Sequence, residues 1–110
     1  MNWKTINEKL NLSSVFEAET VPEVTGAYSG DLLSDIMSHA KENEILITIQ
    51  AHKNTLAVAT LKDLPVIIIC NNRPIPDDMI EAAKEEQISI YTTKKTPFQI
   101  SGELFQLLNL

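Results

Sequence analysis

The stretch Ile47-Thr-Ile-Gln-Ala-His-Lys-Asn-Thr-Leu-Ala-Val-Ala-Thr-Leu61 passes from an apolar run to a small-residue helix through Gln50, His52, Lys53 and Asn54, with no glycine at the crossing. Gln50, His52 and Asn54 alternate, so in extended backbone they share one side, and in a helical turn they spread around its start. The free amides of a helix N-terminus attract anions, and His52 and Asn54 can add directed hydrogen bonds. The same side chains can instead cap the helix and bond neighbouring backbone. Capping needs one such residue, and here there are three.

A second polar segment, Thr25-Gly-Ala-Tyr-Ser-Gly-Asp31, has two glycines ahead of a helical pattern. It matches neither the G-x-G-x-x-G dinucleotide fingerprint nor a P-loop, which closes in G-K-[ST]. It reads either as backbone amides offered to an anion or as a tight turn and helix entry. Arg73, the only arginine, lies in the loop Asn71-Asn72-Arg73-Pro74, where it can meet a carboxylate or phosphate or simply be solvated. Two histidines, His39 and His52, and the lone Cys70 give little support for a metal site, and no G-x-S-x-G elbow is present. The expected ligand-binding set is therefore Thr25, Gly26, Tyr28, Asp31, Gln50, His52, Asn54 and Arg73. No catalytic residue, metal ligand or cofactor is expected.

These residues need a scaffold. Thr5-Ile-Asn-Glu8 has capping-box spacing, with Trp3, Ile6 and Leu10 on one side of a short helix. Ser14 to Ala18 and Val21 to Tyr28 are extended candidates. From Asp31 to Lys41 the period turns helical, with Leu32, Leu33, Ile36, Met37 and Ala40 on one face and Ser29 or Asp31 as cap. Ile45 to Ile49, Val66 to Cys70 and Ile88 to Tyr91 read as buried strands. Helices follow each: one after Asn54, one started by Pro76-Asp77-Asp78 and running out near Gln87, and one opened by the capping box Thr96-Pro-Phe-Gln99.

Buried strands alternating with helices imply right-handed crossovers and a mostly parallel sheet covered on both faces. The expectation is an α/β fold, a three-layer α/β/α domain of about four to five strands filling residues 1–110. Ligands in such sheets bind beyond the carboxyl ends of the strands, near a change in strand order. Thr25 to Asp31, Gln50 to Asn54, Asn71 to Pro76 and Thr92 to Thr96 are expected to project there.

The chain of 110 residues carries nine basic and fifteen acidic side chains, a net charge of −6, and this disfavours nucleic acid as a partner. Its apolar runs fall far short of the roughly 20 residues a membrane helix needs. Without a signal pattern or paired cysteines, it reads as cytoplasmic.

Val24-Thr-Gly-Ala-Tyr-Ser-Gly-Asp-Leu-Leu-Ser-Asp-Ile-Met-Ser-His-Ala40 and Ile47 to Ala59, with Ile67-Ile-Ile, Pro76 and Ile88-Ser-Ile-Tyr-Thr-Thr, resemble a DRTGG domain from about Trp3 to Leu108. The five letters that name that family do not occur in order here. The resemblance implies an α/β domain related to the N-terminal domain of HPr kinase/phosphorylase. Such domains also occur in phosphate acetyltransferases and between CBS domains of regulated pyrophosphatases, as regulatory or dimerisation modules. Small stand-alone members are often called serine kinases by analogy, but this chain lacks the P-loop that activity needs.

The expected function is a non-catalytic regulatory or ligand-sensing module, a homodimer that binds a small anionic ligand, such as a nucleotide, or a protein partner at the strand ends. The alternatives are a pure dimerisation or assembly domain without ligand, and a small phosphotransferase-type enzyme. Phe98 and Phe105, left over beside the inward Ile100–Leu104 stripe, motivate the dimer.

Overall fold

A computed structural model describes residues 1–109. The elements run α1 (Trp3–Leu10), β1 (Ser13–Phe16), β2 (Gly26–Ser29), α2 (Leu33–His39), β3 (Glu44–Thr48), α3 (Lys53–Lys62), β4 (Val66–Ile69), α4 (Asp77–Glu86), β5 (Ser89–Thr92) and α5 (Pro97–Leu108). The sheet has five strands in the order β1-β5-β4-β3-β2. β2 to β5 are parallel neighbours, and β1 adds antiparallel to β5 with an irregularity between Ser14 and Phe16. The expected three-layer α/β/α fold with a mostly parallel sheet is what the chain forms.

Alternation along each strand divides the core in two. Leu46, Ile67, Ile69 and Ile90 face Ile36 of α2, Leu56 and Ala59 of α3, and Met79 and Ala83 of α4. Ile45, Ile47, Val66, Ile68 and Tyr91 face Trp3, Ile6 and Leu10 of α1 and Ile100 and Leu104 of α5. β4 is buried along its whole length, which is why Val66-Ile-Ile-Ile69 is an unbroken β-branched run.

This arrangement corrects one expectation. All three crossover helices lie on the same face and each parallel strand sits beside the next, so the strand order never reverses between parallel neighbours. There is no switch-point crevice at the strand ends.

Several local signals were displaced. α1 starts two residues before Thr5, because Asn2 is the N-cap and accepts from the Lys4 amide at 2.8 Å. Asparagine caps at least as well as threonine, and the earlier start brings Trp3, Ile6 and Leu10 into one buried stripe. The amino terminus is held by the Val24 carbonyl at 2.8 Å. Pro76 occupies the N-cap of α4 rather than its first turn, and Asp77 and Asp78 follow at the positive end of the helix. The Thr96–Gln99 capping box forms in both directions as expected.

Left-handed backbone is taken by Asn11, Asn43, Asp63, Asn71, Asn72, Gln87 and Asn109, and by no glycine among the described residues. Asparagine tolerates this region because its short polar side chain can bond locally. Asn71 and Asn72 adopt it consecutively, and the Arg73 amide donates back to the Cys70 carbonyl at 3.4 Å, which turns the chain sharply beyond β4.

Candidate functional site

The polar residues at the carboxyl ends of the strands form a hydrogen-bonded rim. Asp31 lies just beyond β2, and its Oδ1 accepts from the Thr48 hydroxyl at 3.0 Å and from the Ile49 amide at 2.9 Å. Thr48 is fully buried, and its Oγ1 accepts in turn from the Gln50 amide at 3.1 Å. The Thr48 carbonyl receives the Cys70 amide at 2.9 Å. Asp31 therefore stitches the end of β2 to the end of β3, and Thr48 carries the stitch on to β4. Asp31 does not cap α2: that N-cap is Leu32, which has no side-chain cap bond.

His52 is the N-cap of α3, its Nδ1 accepting from the Asn54 amide at 2.9 Å. A neutral imidazole that accepts at Nδ1 carries its proton on Nε2, which is then a donor. The Gln50 carbonyl accepts from the buried Thr55 hydroxyl at 2.8 Å. Two of the three alternating residues thus hold the strand-to-helix crossing together, Gln50 through its backbone and His52 through its ring. The side chains of Gln50 and Asn54 are exposed and make no hydrogen bond among the described residues. Arg73 is exposed on the adjoining Asn71–Asn72 turn and has no ion pair among the described residues.

The remaining expected site residues are not brought to this rim. Thr25 and Gly26 lie at the opposite end of the sheet, because Gly26 begins β2 opposite Glu44 while Ser29 ends it opposite Ile47. That strand alone is about 10 Å long at roughly 3.3 Å per residue. The Thr25 hydroxyl donates to the Glu42 carbonyl at 3.2 Å, and Gly26 is buried so close to Glu44 that a Cβ would meet its Oε2 at 3.3 Å. The expectation that Thr25 to Asp31 projects as one loop fails because its middle is a strand.

Tyr28 is half-buried within β2, and its hydroxyl donates to the Asp35 carboxylate of α2. Its pKa is raised above the ordinary tyrosine value, first by that hydrogen bond, then by burial and by the charges of Asp35 and Glu44. Asp35 also pairs with His39 Nδ1 at 3.0 Å, so Tyr28, Asp35 and His39 form a chain pinning α2 to the edge strand. The i, i+4 spacing of Asp35 and His39 is a signal that could have revealed half of this chain.

Cys70 is fully buried. Burial and then the charge of Asp31 push its thiol up to about 11, so at neutral pH it is a protonated core residue. No serine or cysteine among the described residues hydrogen-bonds to His39 or His52, and no group of three or more His, Cys, Asp or Glu is arranged to hold a metal ion. The grooves of the surface lie elsewhere. One of about 530 Å³ sits beneath the amino ends of the strands beside Asn43, Asp63 and Gln87, and one of about 700 Å³ lies between α3 and α4. No helix among the described residues is long and apolar enough to cross a membrane.

Fold and rim together describe a singly wound α/β/α module in which Asp31, Thr48 and His52 are tied into the strand ends while the side chains of Gln50, Asn54 and Arg73 have no partner among the described residues. The family model for the HPr Serine kinase N terminus matches residues 40–108, and the chain belongs to that family. The HPr kinase/phosphorylase of Streptococcus sanguinis (strain SK36) is 32% identical over 71 residues, 63% of this chain and 23% of the relative. That of Streptococcus pyogenes serotype M1 is 35% identical over 48 residues, 44% of this chain and 16% of the relative. The matched part of the chain therefore covers less than a quarter of the length of these relatives.

Among solved structures, the CBS and DRTGG domains of the regulatory region of Clostridium perfringens pyrophosphatase, complexed with the activator diadenosine tetraphosphate, superpose with a TM-score of 0.74. The match covers 96% of this chain and 46% of that one at 19% identity, which is a likeness of fold. The resemblance to a DRTGG domain drawn from residues 24–40 and 47–59 is thus upheld by family and by fold.

Proposed function

We propose that the chain acts as one DRTGG-like unit over residues 1–110, a non-catalytic regulatory module that works as a homodimer through the outer face of α5. The observation that carries this reading is the exposure of two aromatic rings on that helix, Phe98 at 87% and Phe105 at 59%. They flank Gly102 at i, i+4 and i+7, so all three share one side. The helix Pro-Phe-Gln-Ile-Ser-Gly-Glu-Leu-Phe-Gln-Leu-Leu108 has a single charged residue, Glu103, which is paired with Lys95 at 2.8 Å. In a chain of net charge −6, a face without free charge is one that two copies can bring together without repulsion. The sequence holds no P-loop, and no serine or cysteine among the described residues is hydrogen-bonded to a histidine, which is in keeping with a module that does no chemistry of its own.

Light scattering on the full chain tests this. A dimer mass that falls to the monomer in Phe98→Ser/Phe105→Ser is expected, and a wild-type monomer at 100 μM (roughly the weak limit of a useful self-association) overturns it.

A second reading, binding of a small anion at the rim, is favoured by the exposed side chains of Gln50 and Asn54 beside the start of α3 and of Arg73 on the turn beyond β4, which have no partner among the described residues. The nucleotide in the Clostridium perfringens regulatory region supports this class of ligand by analogy of fold. Thermal melting with inorganic phosphate, ATP and diadenosine tetraphosphate tests it, since a ligand that binds only the folded state must raise Tm. A rise lost in Arg73→Ala supports the rim, and no rise with any of the three leaves only the assembly role.

A further inference from the structure

α3 and α4 lie side by side on the face of the sheet opposite α5, and apolar side chains line the groove between them. Ala57 and Leu61 come from α3 and Ala82 from α4, with Leu61 71% exposed. Lys53, Ala57 and Leu61 are spaced four apart, so they form one stripe along α3. The other wall is acidic: Asp78, Glu81, Glu85 and Glu86 of α4 line the groove, against Lys53 as the one basic side chain in it. Among the described residues, Glu81 alone of these carboxylates has an ion pair, to Lys84 at 3.5 Å with both side chains more than half exposed. A pair so exposed cancels little of the field.

We propose that this groove docks a cationic amphipathic helix of a partner protein. Both walls are ten-residue helices, which gives a trough of about 15 Å, enough for two to three turns of a third helix. Apolar anchors at i, i+3 or i+4, and i+7 settle on Ala57 and Ala82 beside Leu61, while flanking lysines or arginines meet the α4 carboxylates. The charge decides the occupant. A second copy would bring two acidic walls together, and nucleic acid or an anionic membrane would be repelled. The proposal rests on neither the α5 dimer nor the rim ligand, because α3 and α4 lie across the sheet from α5 and the groove residues are not those of the rim.

The probe is a synthetic Leu/Lys peptide of about three helical turns, with leucines at i, i+3, i+4 and i+7, labelled for fluorescence anisotropy against the full chain. A peptide of the same composition with leucines at every second position is the control. Saturable binding of the helical-period peptide is expected, weakened by salt and reduced about tenfold or more by Leu61→Ser and by Glu81→Gln/Glu85→Gln. All of these positions are exposed, and urea unfolding of each variant verifies the fold. Phe98→Ser should leave binding unchanged. Absence of saturable binding, equal binding of the control peptide, or variants that bind like the wild type would each overturn the proposal. So would self-association that Leu61→Ser abolishes.

Discussion

Replacing Asp31 by alanine separates a structural rim from a ligand site more sharply than any other change. Its Oδ1 accepts one bond from the Thr48 hydroxyl and one from the Ile49 amide, and neither donor can be re-satisfied equally well. Thr48 has no exposure, so its hydroxyl loses a partner without gaining water, whereas Ile49 is half-buried and its amide can be partly hydrated. Hydrogen bonds to a charged group contribute about 1.5–3 kcal/mol each when enclosed. Asp31 is itself exposed, which places the hydroxyl bond near the low end and the amide bond below it. The expected loss is about 2 kcal/mol for Asp31→Ala and about 1 kcal/mol for Asp31→Asn, which keeps an acceptor oxygen but not the charge.

Thr48→Val should couple to Asp31→Ala by about 1 kcal/mol in a double-mutant cycle, since each removes the other's partner. Urea unfolding at pH 7, followed by far-ultraviolet circular dichroism and by the fluorescence of the single Trp3, measures all four proteins. A loss of about 2 kcal/mol moves the midpoint by roughly 1 M urea. A change in Asp31→Ala below about 0.5 kcal/mol, with strict additivity in the cycle, would refute the stitch. If the variant kept its stability and lost the thermal response to phosphate or a nucleotide, Asp31 would belong to a ligand site instead.

His52→Ala should cost about 1 kcal/mol as a lost N-cap while Asn54→Ala costs less than about 0.5, because only the Asn54 backbone takes part in the cap; urea midpoints rank the two. Tyr91, buried between Trp3 and Glu17, has its pKa pushed up to about 12, first by burial, so the fold favours the neutral phenol. Its contribution is complete below about pH 10, the unfolded value, and is lost as pH rises towards 12. The stability gap between wild type and Tyr91→Phe should therefore shrink over that window in urea titrations, and a gap constant to pH 12 would contradict the assignment. Cys70 should resist iodoacetamide at pH 8 in the native chain and react readily in urea, as mass spectrometry will read. Gly102 sits in α5, where a Cβ would meet nothing within 4 Å, so Gly102→Ala should stabilise the monomer by about 0.5–1 kcal/mol. Weakened dimerisation in the same variant would show that two backbones approach closely there.

What could be read along the chain were interactions that close within about one helical turn or one strand. The Thr96–Gln99 box, the end of α4 near Gln87 and the β-branched core of β4 are properties of residues at most a few positions apart. The three-layer architecture follows from the same local periods, because strands buried on both faces and separated by helices have few other ways to pack. Even the uncommitted rings of Phe98 and Phe105 were visible, since helical spacing puts them off the Ile100–Leu104 stripe.

The roles of the polar residues were decided only in three dimensions. Asp31 looked like a helix cap until the pairing of β2 with β3 brought Thr48, seventeen positions away, against its carboxylate. Tyr91 and Glu17 meet across seventy-four positions because β1 returns antiparallel beside β5. Thr25 and Asp31 share one short motif in sequence, yet β2 carries them to opposite ends of the sheet. The acidic wall facing Leu61 exists only because α3 and α4 cross on the same face. A hydrogen bond or a groove depends on register and on which face a crossover takes, and those are set by the burial of the whole sheet rather than by any segment of the chain.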